Sequence, residues 1–343
     1  MRVLITGLGT LWGSHLAQQL EERDDVEIVV GLDTSDPRVP LQRTEFVRAD
    51  TSYSLLHRIV EATQIDTILH THLVIDSTTE SRRQMHESNV IGTLNLLAAA
   101  GAPGSTVRRV VVKSSTMIYG ATHRDPMFFR EDMHRCGPAR TPVERSLLEV
   151  ESFVSDFATD NPDIDVTLLR FANVFGDDLD TPLIRCLRLP LVPYVFGFDP
   201  RVQFVHQTDV VGALLYAVTH SIPGVYNVAG AGSQPWSEVC AVVGKDRWPI
   251  PPVFTGIAID ALRPLGIRIP PETIDLLRFG RVVDTTAITR SGYHCRFTSP
   301  EAVEAFAQNE RLRRALGGDE PEYRYERDVE QFFRQSSAVV RPD

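Results

Sequence analysis

The chain is poor in cysteine, in long apolar runs and in basic charge, and each shortage argues against a class of protein. Its 343 residues include four cysteines, which form no CxxC pair and no Cys/His ligand spacing, so we expect reduced thiols and no metal site. No run approaches the roughly 20 apolar residues that a membrane helix needs. A net charge of −10 argues against a nucleic-acid binder. A first strand starting at Arg2 leaves no room for a signal peptide, so we expect a cytoplasmic protein.

Short buried strands alternate with helical stretches through the first half of the chain. Five strands are predicted, at 3–6, 26–32, 45–49, 67–70 and 109–113. Helical spacing follows between them at 11–22, 54–63 and 84–100. This rhythm predicts an α/β fold, a Rossmann-type doubly wound parallel sheet with helices on both faces.

The second half is less regular. A helix at 138–158, a strand at 166–169 and a helix at 209–220 are predicted, but beyond about residue 176 proline becomes frequent. That change predicts a smaller, loop-built C-terminal lobe that binds substrate. We therefore expect a dinucleotide-binding Rossmann domain over 1–176, to which part of 200–230 returns, a substrate lobe over 177–320 and a charged tail over 321–343.

A glycine-rich turn is predicted between the first strand and the first helix, where residues 6–13 read TGLGTLWG. Glycine there lets backbone N–H groups and the helix N-terminus approach a phosphate. Asp33 follows twenty residues after Gly13, at the end of the second strand. A carboxylate there binds an adenosine ribose diol and repels a 2′-phosphate, which predicts NAD rather than NADP. The alternative is an α/β fold with a tight turn and an ordinary loop aspartate.

Further motifs follow in order along the first 230 residues. They are Thr6-Gly7, Asp33, Ala49-Asp50, His70, NVIGTLNLL at 89–97, SSTMIYG at 114–120, RFANVFG at 170–176, FVH at 204–206 and YNVAG at 226–230. Together they resemble the NAD-dependent epimerase/dehydratase family of extended short-chain dehydrogenases, which includes UDP-sugar 4-epimerases and dTDP-sugar dehydratases. From residue 240 onward the likeness is loose.

The resemblance implies a set of site residues. For an NAD cofactor they are Gly7, Gly9, Thr10, Leu11, Gly13, Asp33, Asp50, Thr51, His70, His72 and Asn89. For the substrate, a nucleotide sugar or another small molecule, they are Ser115, Asn173, Arg201 and Arg278, the arginines because their forked donors suit a diphosphate. The resemblance also implies a homodimer in which the helices at 84–100 and 143–158 pack into a four-helix bundle.

Two departures from the family pattern affect the predicted cofactor site. Thr10 holds the place of the central glycine in GxxGxxG, with Gly9 one position earlier. It puts a β-carbon where the backbone should approach the pyrophosphate, although its hydroxyl is a candidate donor to a phosphate oxygen. The family's His-Leu-Ala-Ala reads His70-Thr71-His72-Leu73, and His72 is bulky where small residues leave room for the cofactor.

A third departure removes the family's catalytic Tyr-x-x-x-Lys. The chain has two lysines, Lys113 and Lys245, and no tyrosine stands four residues before either. Val143 and Leu147 hold the two positions. The chemistry needs a phenol whose pKa is lowered by an ammonium group, so that it can remove a hydroxyl proton. Val143 and Leu147 cannot transfer a proton, and their i, i+4 spacing predicts an apolar corner filled by protein.

Three hypotheses follow from these observations. The first is an NAD-binding protein with impaired or repurposed catalysis, acting as a scaffold, a sensor or a partner subunit. The second is an active nucleotide-sugar epimerase, dehydratase or reductase with a substitute proton carrier. The candidates for that role are Ser115, Tyr119, Glu144 and a water held by His72, although Ser115 is equally suited to satisfying backbone at a strand end. The third is a carrier of an apolar ligand, which requires an open valine–leucine corner.

Overall fold

A seven-stranded sheet, in which all neighbouring strands run parallel, forms the centre of the molecule. The computed structural model describes residues 1–177, 179–253, 255 and 268–315. The strands of this sheet are β1 (Arg2–Thr6), β2 (Ile28–Asp33), β3 (Thr44–Arg48), β4 (Thr67–His70), β5 (Arg109–Ser115), β7 (Asp165–Phe171) and β12 (Gly224–Val228). Their order is β12-β7-β5-β4-β1-β2-β3, which confirms the predicted Rossmann-type fold.

Helices cover both faces of this sheet. They are α1 (Leu11–Glu21), α2 (Tyr53–Thr63), α3 (Arg82–His86), α4 (Gly92–Ala100), α5 (Pro142–Asp160) and α7 (Gln207–Thr219). A π-helical turn, Glu87–Ile91, joins α3 to α4, and a 3₁₀ turn, Thr116–Tyr119, follows β5. Apolar side chains of α1 and α7 are buried against one face of the sheet, and those of α2, α4 and α5 against the other. None of the helices in the described part of the chain is long and apolar enough to cross a membrane.

The second half contains more regular structure than its proline content predicts. Its short strands are β6 (Phe128–Phe129), β8 (Asn173–Phe175), β9 (Leu191–Val195), β10 (Arg201–Val202), β11 (Phe204–His206), β13 (Gln234–Pro235), β14 (Asp246–Ile250) and β15 (Val282–Val283). They pair as β10–β13, β11–β8, β14–β9 and β15–β6. The helices there are α6 (Pro182–Arg188), α8 (Trp236–Val243), α9 (Pro271–Phe279), α10 (Thr286–Arg290) and α11 (Ser299–Ala315).

The expectation of a loop-built lobe was therefore wrong, because proline begins some of these helices. Pro182 and Pro271 are the first residues of α6 and α9, where a missing N–H costs no intrahelical hydrogen bond. A separate apolar cluster, which includes Trp236 and Phe175, lies beneath this part of the molecule. The division into domains stays a prediction, and the charged tail over 321–343 lies outside the described residues.

Candidate functional site

The turn between β1 and α1 leaves backbone N–H groups free at the start of a helix. Gly7 has a φ of 84°, which favours glycine, and a β-carbon there would lie 2.6 Å from the His72 amide nitrogen. A β-carbon on Gly13 would lie 2.2 Å from the Gly7 carbonyl oxygen. Leu11 and Trp12 begin the eleven-residue helix α1, so their N–H groups have no carbonyl one turn earlier to bind. This helix N-terminus attracts anions.

Thr10 stabilises the turn as the cap of α1. Its Oγ1 donates to the Gly7 carbonyl at 2.7 Å and accepts from the Gly13 N–H at 3.1 Å. The hydroxyl proton is therefore used within the turn. The expectation that Thr10 donates to a phosphate oxygen is not supported, because that proton already has an acceptor.

Asp33 is held at the end of β2 by two backbone amides. Its Oδ2 accepts from the Gly9 N–H at 3.0 Å and its Oδ1 from the Ser35 N–H at 2.9 Å. Each carboxylate oxygen keeps a further lone pair, and Asp33 lines a cavity of about 300 Å³. The other walls of this cavity are residues 9–12, Ser35, Arg38, His72, Leu179 and Asp180.

The cavity brings together five of the residues predicted for a cofactor. They are Gly9, Thr10, Leu11, Asp33 and His72. The sequence did not predict Ser35 and Arg38 as part of the site. Both follow within five residues of Asp33, the last residue of β2, so the loop that leaves this strand contributes to the cavity wall. The bulky His72 contributes to the wall, with its Nδ1 at 4.0 Å from Asp33 Oδ2 and its side chain 32% exposed.

His70 is not among the residues that line this cavity, and its contact with a cofactor stays a prediction. His70 is buried, with Nδ1 at 2.6 Å from Thr6 Oγ1 and Nε2 at 3.0 Å from Thr93 Oγ1. The Thr93 hydroxyl donates to the Asn89 carbonyl, so Nε2 donates to Thr93 and Nδ1 accepts from Thr6. Burial lowers the pKa of His70 to about 3. The ring is a neutral link between β1 and the helical segment around Asn89.

Asn89, also predicted to contact a cofactor, instead holds the loop that follows β4. Its Oδ1 accepts from the Val74 N–H at 2.7 Å and its Nδ2 donates to the Val74 carbonyl at 2.8 Å. The same Nδ2 lies 3.2 Å from Ser146 Oγ on α5. Asn89 belongs to the π-helical turn, an irregularity that often marks functional positions. Here it fixes the loop to α5.

Asp50 and Thr51 precede α2 and do not line the cavity at Asp33. Asp50 is exposed. The Thr51 carbonyl accepts from Asn95 Nδ2 at 2.9 Å, which ties the start of α2 to α4. The structure gives Thr51 a packing role and leaves the predicted contact of Asp50 with a cofactor untested.

The corner to which the resemblance assigns the family's catalytic pair is filled by protein. Val143 and Leu147 are both 0% exposed. Their apolar neighbours are Met85, Leu73, Val74, Ile75 and Met117. Neither Val143 nor Leu147 lines the cavity of about 300 Å³ at Asp33 or a second one of about 470 Å³ beside α3 and α5. The packing agrees with the prediction of a filled corner and removes the basis of the apolar-carrier hypothesis.

Residues 73–77, here called the strap, cover this corner and continue to the C-terminal half of the chain. Asp76 forms an ion pair with Arg185 of α6, and Ser77 Oγ donates to Glu272 Oε1 of α9 at 2.8 Å. Arg185 Nη1 lies 2.9 Å from Asp180 Oδ2, and Asp180 is part of the cavity wall. The strap therefore joins the filled corner, α6 and the edge of the open cavity.

Ser115 and Glu144 both cap helical turns near this corner. Ser115 Oγ accepts from the Met117 N–H at 3.3 Å, as the cap of the 3₁₀ turn. Glu144 accepts from the Thr141 N–H at 3.3 Å within a capping box. It also pairs with Arg135 Nη2 at 3.1 Å, in a contact where both side chains are buried. These bonds give both side chains structural roles.

Tyr119 belongs to a buried polar network. Its hydroxyl donates to Asn227 Oδ1 at 2.8 Å and accepts from Arg170 Nη1 at 2.7 Å. Arg170 also pairs with Glu151. Burial raises the pKa of Tyr119, so the phenol ionises less readily than that of a free tyrosine and less of it is present as the phenolate that could accept a proton.

The predicted substrate residues bind other parts of the protein. Asn173 Nδ2 donates to the Gln203 carbonyl at 3.1 Å, and Arg201 Nε donates to Ser233 Oγ at 3.0 Å. The guanidinium of Arg278 lies 5.0 Å from the centre of the Phe198 ring. None of the three lines the cavity at Asp33.

The fold defines a Rossmann-type α/β protein, and comparison with known proteins gives its family. The NAD dependent epimerase/dehydratase family matches residues 3–229, so the chain belongs to that family. It is similar to an uncharacterized protein of Mycobacterium tuberculosis, 33% identical over 312 residues and covering 89% of this chain and 82% of that protein. It is also similar to UDP-glucose 4-epimerase of Erwinia amylovora, 26% identical over 187 residues and covering 51% and 54% of the two chains.

Solved structures share the fold over nearly the whole chain. UDP-glucose 4-epimerase of Thermotoga maritima, solved with UDP-glucose, is 19% identical, covers 91% of this chain and 99% of its own, and has a TM-score of 0.70. UDP-glucose 4-epimerase of Thermus thermophilus, solved with NAD, is 22% identical, covers 91% and 99%, and has a TM-score of 0.69. At these identities the likeness establishes the fold alone.

Proposed function

We propose that this protein binds NAD through the adenosine and diphosphate half of the cofactor and has lost the hydride chemistry of its family. The observation that carries the proposal is the contrast between an open cavity beside Asp33 and a filled corner at Val143 and Leu147. We infer that the protein works as a scaffold, a sensor or the partner subunit of an active enzyme, where binding is needed and turnover is not.

The residues of the open cavity suit the adenosine half of NAD. The N–H groups of Leu11 and Trp12 would hold the diphosphate at the helix N-terminus. Asp33, already oriented by two amides, would accept from the ribose diol. When bound, NAD supplies a nicotinamide ring that can exchange a hydride. Val143 and Leu147, at the positions that would move the accompanying proton, do not suit the nicotinamide half of the cofactor.

The side chains named as substitute proton carriers all have other positions or roles in the fold. Ser115 and Glu144 cap helical turns, and Tyr119 lies in a buried network that raises its pKa. His72 stands beside Asp33, in the wall of the open cavity. General acid–base assistance contributes about 10²–10⁴ in rate, so its loss supports a protein with little or no turnover.

We also propose a homodimer through the helices at 84–100 and 143–158. Ile91, on the first of these segments, is 42% exposed although apolar, which is consistent with a covered face. Light scattering at micromolar concentration should give twice the mass of the chain. A monomer would contradict the dimer and leave the proposal on NAD unaffected.

Calorimetry with NAD and ADP-ribose tests the binding proposal. ADP-ribose lacks the nicotinamide, so it should bind within about threefold of NAD if the filled corner contributes nothing. Asp33→Ala should weaken both ligands together. Mass spectrometry of molecules released on denaturation should find NAD or another adenine nucleotide.

Turnover assays with UDP-glucose and other nucleotide sugars test the loss of chemistry. We expect no NAD-dependent conversion of any of them. Measurable conversion that disappears in Ser115→Ala would instead establish an active enzyme with a substitute proton carrier.

A further inference from the structure

Lys113 is a buried cation with no charge partner in the part of the chain that the structure describes. It lies on β5 and is 4% exposed. Among the described residues its Nζ forms no ion pair and no hydrogen bond, and its contact is with the Trp12 ring, whose centre lies 5.5 Å away. An ammonium group removed from water without an anionic partner opposes folding. A lysine is therefore an unfavourable choice here on grounds of stability alone.

The other lysine of the chain shows what a satisfied ammonium group looks like. Lys245 Nζ donates to the carbonyl oxygens of Leu189, at 2.7 Å, and Arg188, at 3.3 Å. Lys113 has no such acceptors, and a cation–π contact offsets only part of the cost of burial. The comparison points to an acceptor for Lys113 that comes from a ligand.

The position of Lys113 indicates where that ligand lies. Trp12 is the second residue of α1 and lines the open cavity. The ammonium group of Lys113 lies behind this wall, 5.5 Å from the centre of the Trp12 ring, although Lys113 itself is not among the residues that line the cavity. Two sources of positive potential, the ammonium group and the first turn of α1, are thus on the same side of the cavity. Nearby His70 is neutral, because burial lowers its pKa to about 3. An anion in the cavity would be attracted by both the helix and the lysine.

We propose that Lys113 is the charge partner of a phosphate or diphosphate group held at the N-terminus of α1. The inference relies on the proposed function for the identity of the ligand, a dinucleotide, and on the observed contacts for its charge. In the free protein Lys113 lowers stability, and a bound phosphate offsets that cost. Ligand binding should therefore stabilise the fold strongly.

The test uses Lys113→Met, Lys113→Arg and the control Lys245→Met, with NAD, inorganic pyrophosphate and adenosine as probes. Calorimetry should show that Lys113→Met weakens NAD and pyrophosphate by about 10- to 100-fold, the range for a hydrogen bond to a charged group. Adenosine, which carries no phosphate, should bind Lys113→Met and the wild type equally. Lys113→Arg should keep most of the affinity for both anions, and Lys245→Met should keep all of it.

Thermal unfolding without ligand supplies a readout that does not depend on ligand affinity. Without ligand, Lys113→Met should melt at a higher temperature than the wild type, and pyrophosphate should raise its melting temperature less. A purely structural lysine gives the opposite result, a lower melting temperature in Lys113→Met with unchanged ligand affinity, and would overturn the inference.

The outcomes separate this inference from the proposed function. Wild-type protein that binds pyrophosphate but not NAD, with Lys113→Met losing the pyrophosphate, supports the role of Lys113 and refutes NAD as the ligand. Wild-type protein that binds none of the probes, or a Lys113→Met variant that binds pyrophosphate as the wild type does, overturns the inference.

Discussion

Two regions of the molecule, here called its two ends, differ in how open they are to solvent. At the Asp33 end, a glycine turn, a helix N-terminus and an oriented carboxylate surround a cavity of about 300 Å³. At the other end, Val143 and Leu147 are 0% exposed beneath the strap. Binding at the first end depends mainly on backbone geometry, whereas chemistry at the second depends on two side chains. The chemical half of such a site can therefore be lost without disturbing the binding half.

The replacement also changes the energetics of the second end. Burying a valine or leucine side chain stabilises a fold by about 1.5–3 kcal/mol, and the corner around Met85 now holds two of them. A tyrosine and a lysine at the same positions would each need a polar partner. The difference between the ends is thus a difference between an apolar core and a polar, solvent-accessible site.

The largest effect should come from returning a charge to the filled corner. Leu147→Lys places an ammonium group among apolar side chains, so we expect a loss of about 3–5 kcal/mol in the free energy of unfolding. Urea unfolding measures it, with Ser155→Lys, at an exposed position of the same helix, as the control. If Leu147→Lys unfolds like the wild type, the corner is open to water and the contrast between the two ends fails.

The buried His70, which joins β1 to the helical segment around Asn89, should make the free energy of unfolding depend on pH. The pKa of His70 is about 3 in the folded protein because of burial, below its ordinary value near 6.5. The folded state therefore binds fewer protons, so stability is complete above about pH 6.5 and falls as the pH drops toward 3. Between pH 7 and pH 5 we expect His70 to account for a loss of about 2 kcal/mol.

Urea unfolding at both pH values checks this expectation. His70→Gln, which cannot be protonated, should remove most of the dependence, and His57→Gln, at an exposed position, should keep it. An unchanged pH dependence in His70→Gln would mean that another group is responsible.

The smallest effect concerns the open end alone. Thr10→Ala removes the cap of α1 and should cost about 1 kcal/mol, whereas Thr10→Gly should cost only a few tenths. Urea unfolding of Thr10→Ala against the wild type measures the loss of the hydroxyl bonds to Gly7 and Gly13, and Thr10→Gly shows how far the backbone of glycine makes up for that loss. Equal stability in Thr10→Ala and wild type would show that the turn does not need its cap.

Much of the fold was predictable because hydrophobic periodicity is local. The strand at 67–70 was predicted residue for residue, and the turn from Gly7 to Gly13 and Asp33 were located by motif and spacing. The same motifs did not reveal that His70 and Asn89 bond to β1 and to the strap. A motif records which residue type stands at a position, while the partner of that residue depends on contacts across the chain.

The sequence by itself determined the Rossmann-type sheet, the glycine-rich turn between β1 and α1, and the absence of the Tyr-x-x-x-Lys pair, because each is a matter of local pattern. Tertiary structure alone decided what replaced the pair. The strap covers Val143 and Leu147 through contacts that reach Arg185 and Glu272, more than 100 residues along the chain. The tertiary structure also placed Lys113 beside Trp12, since only the packing of α1 against the sheet brings a residue of β5 close to the first turn of that helix.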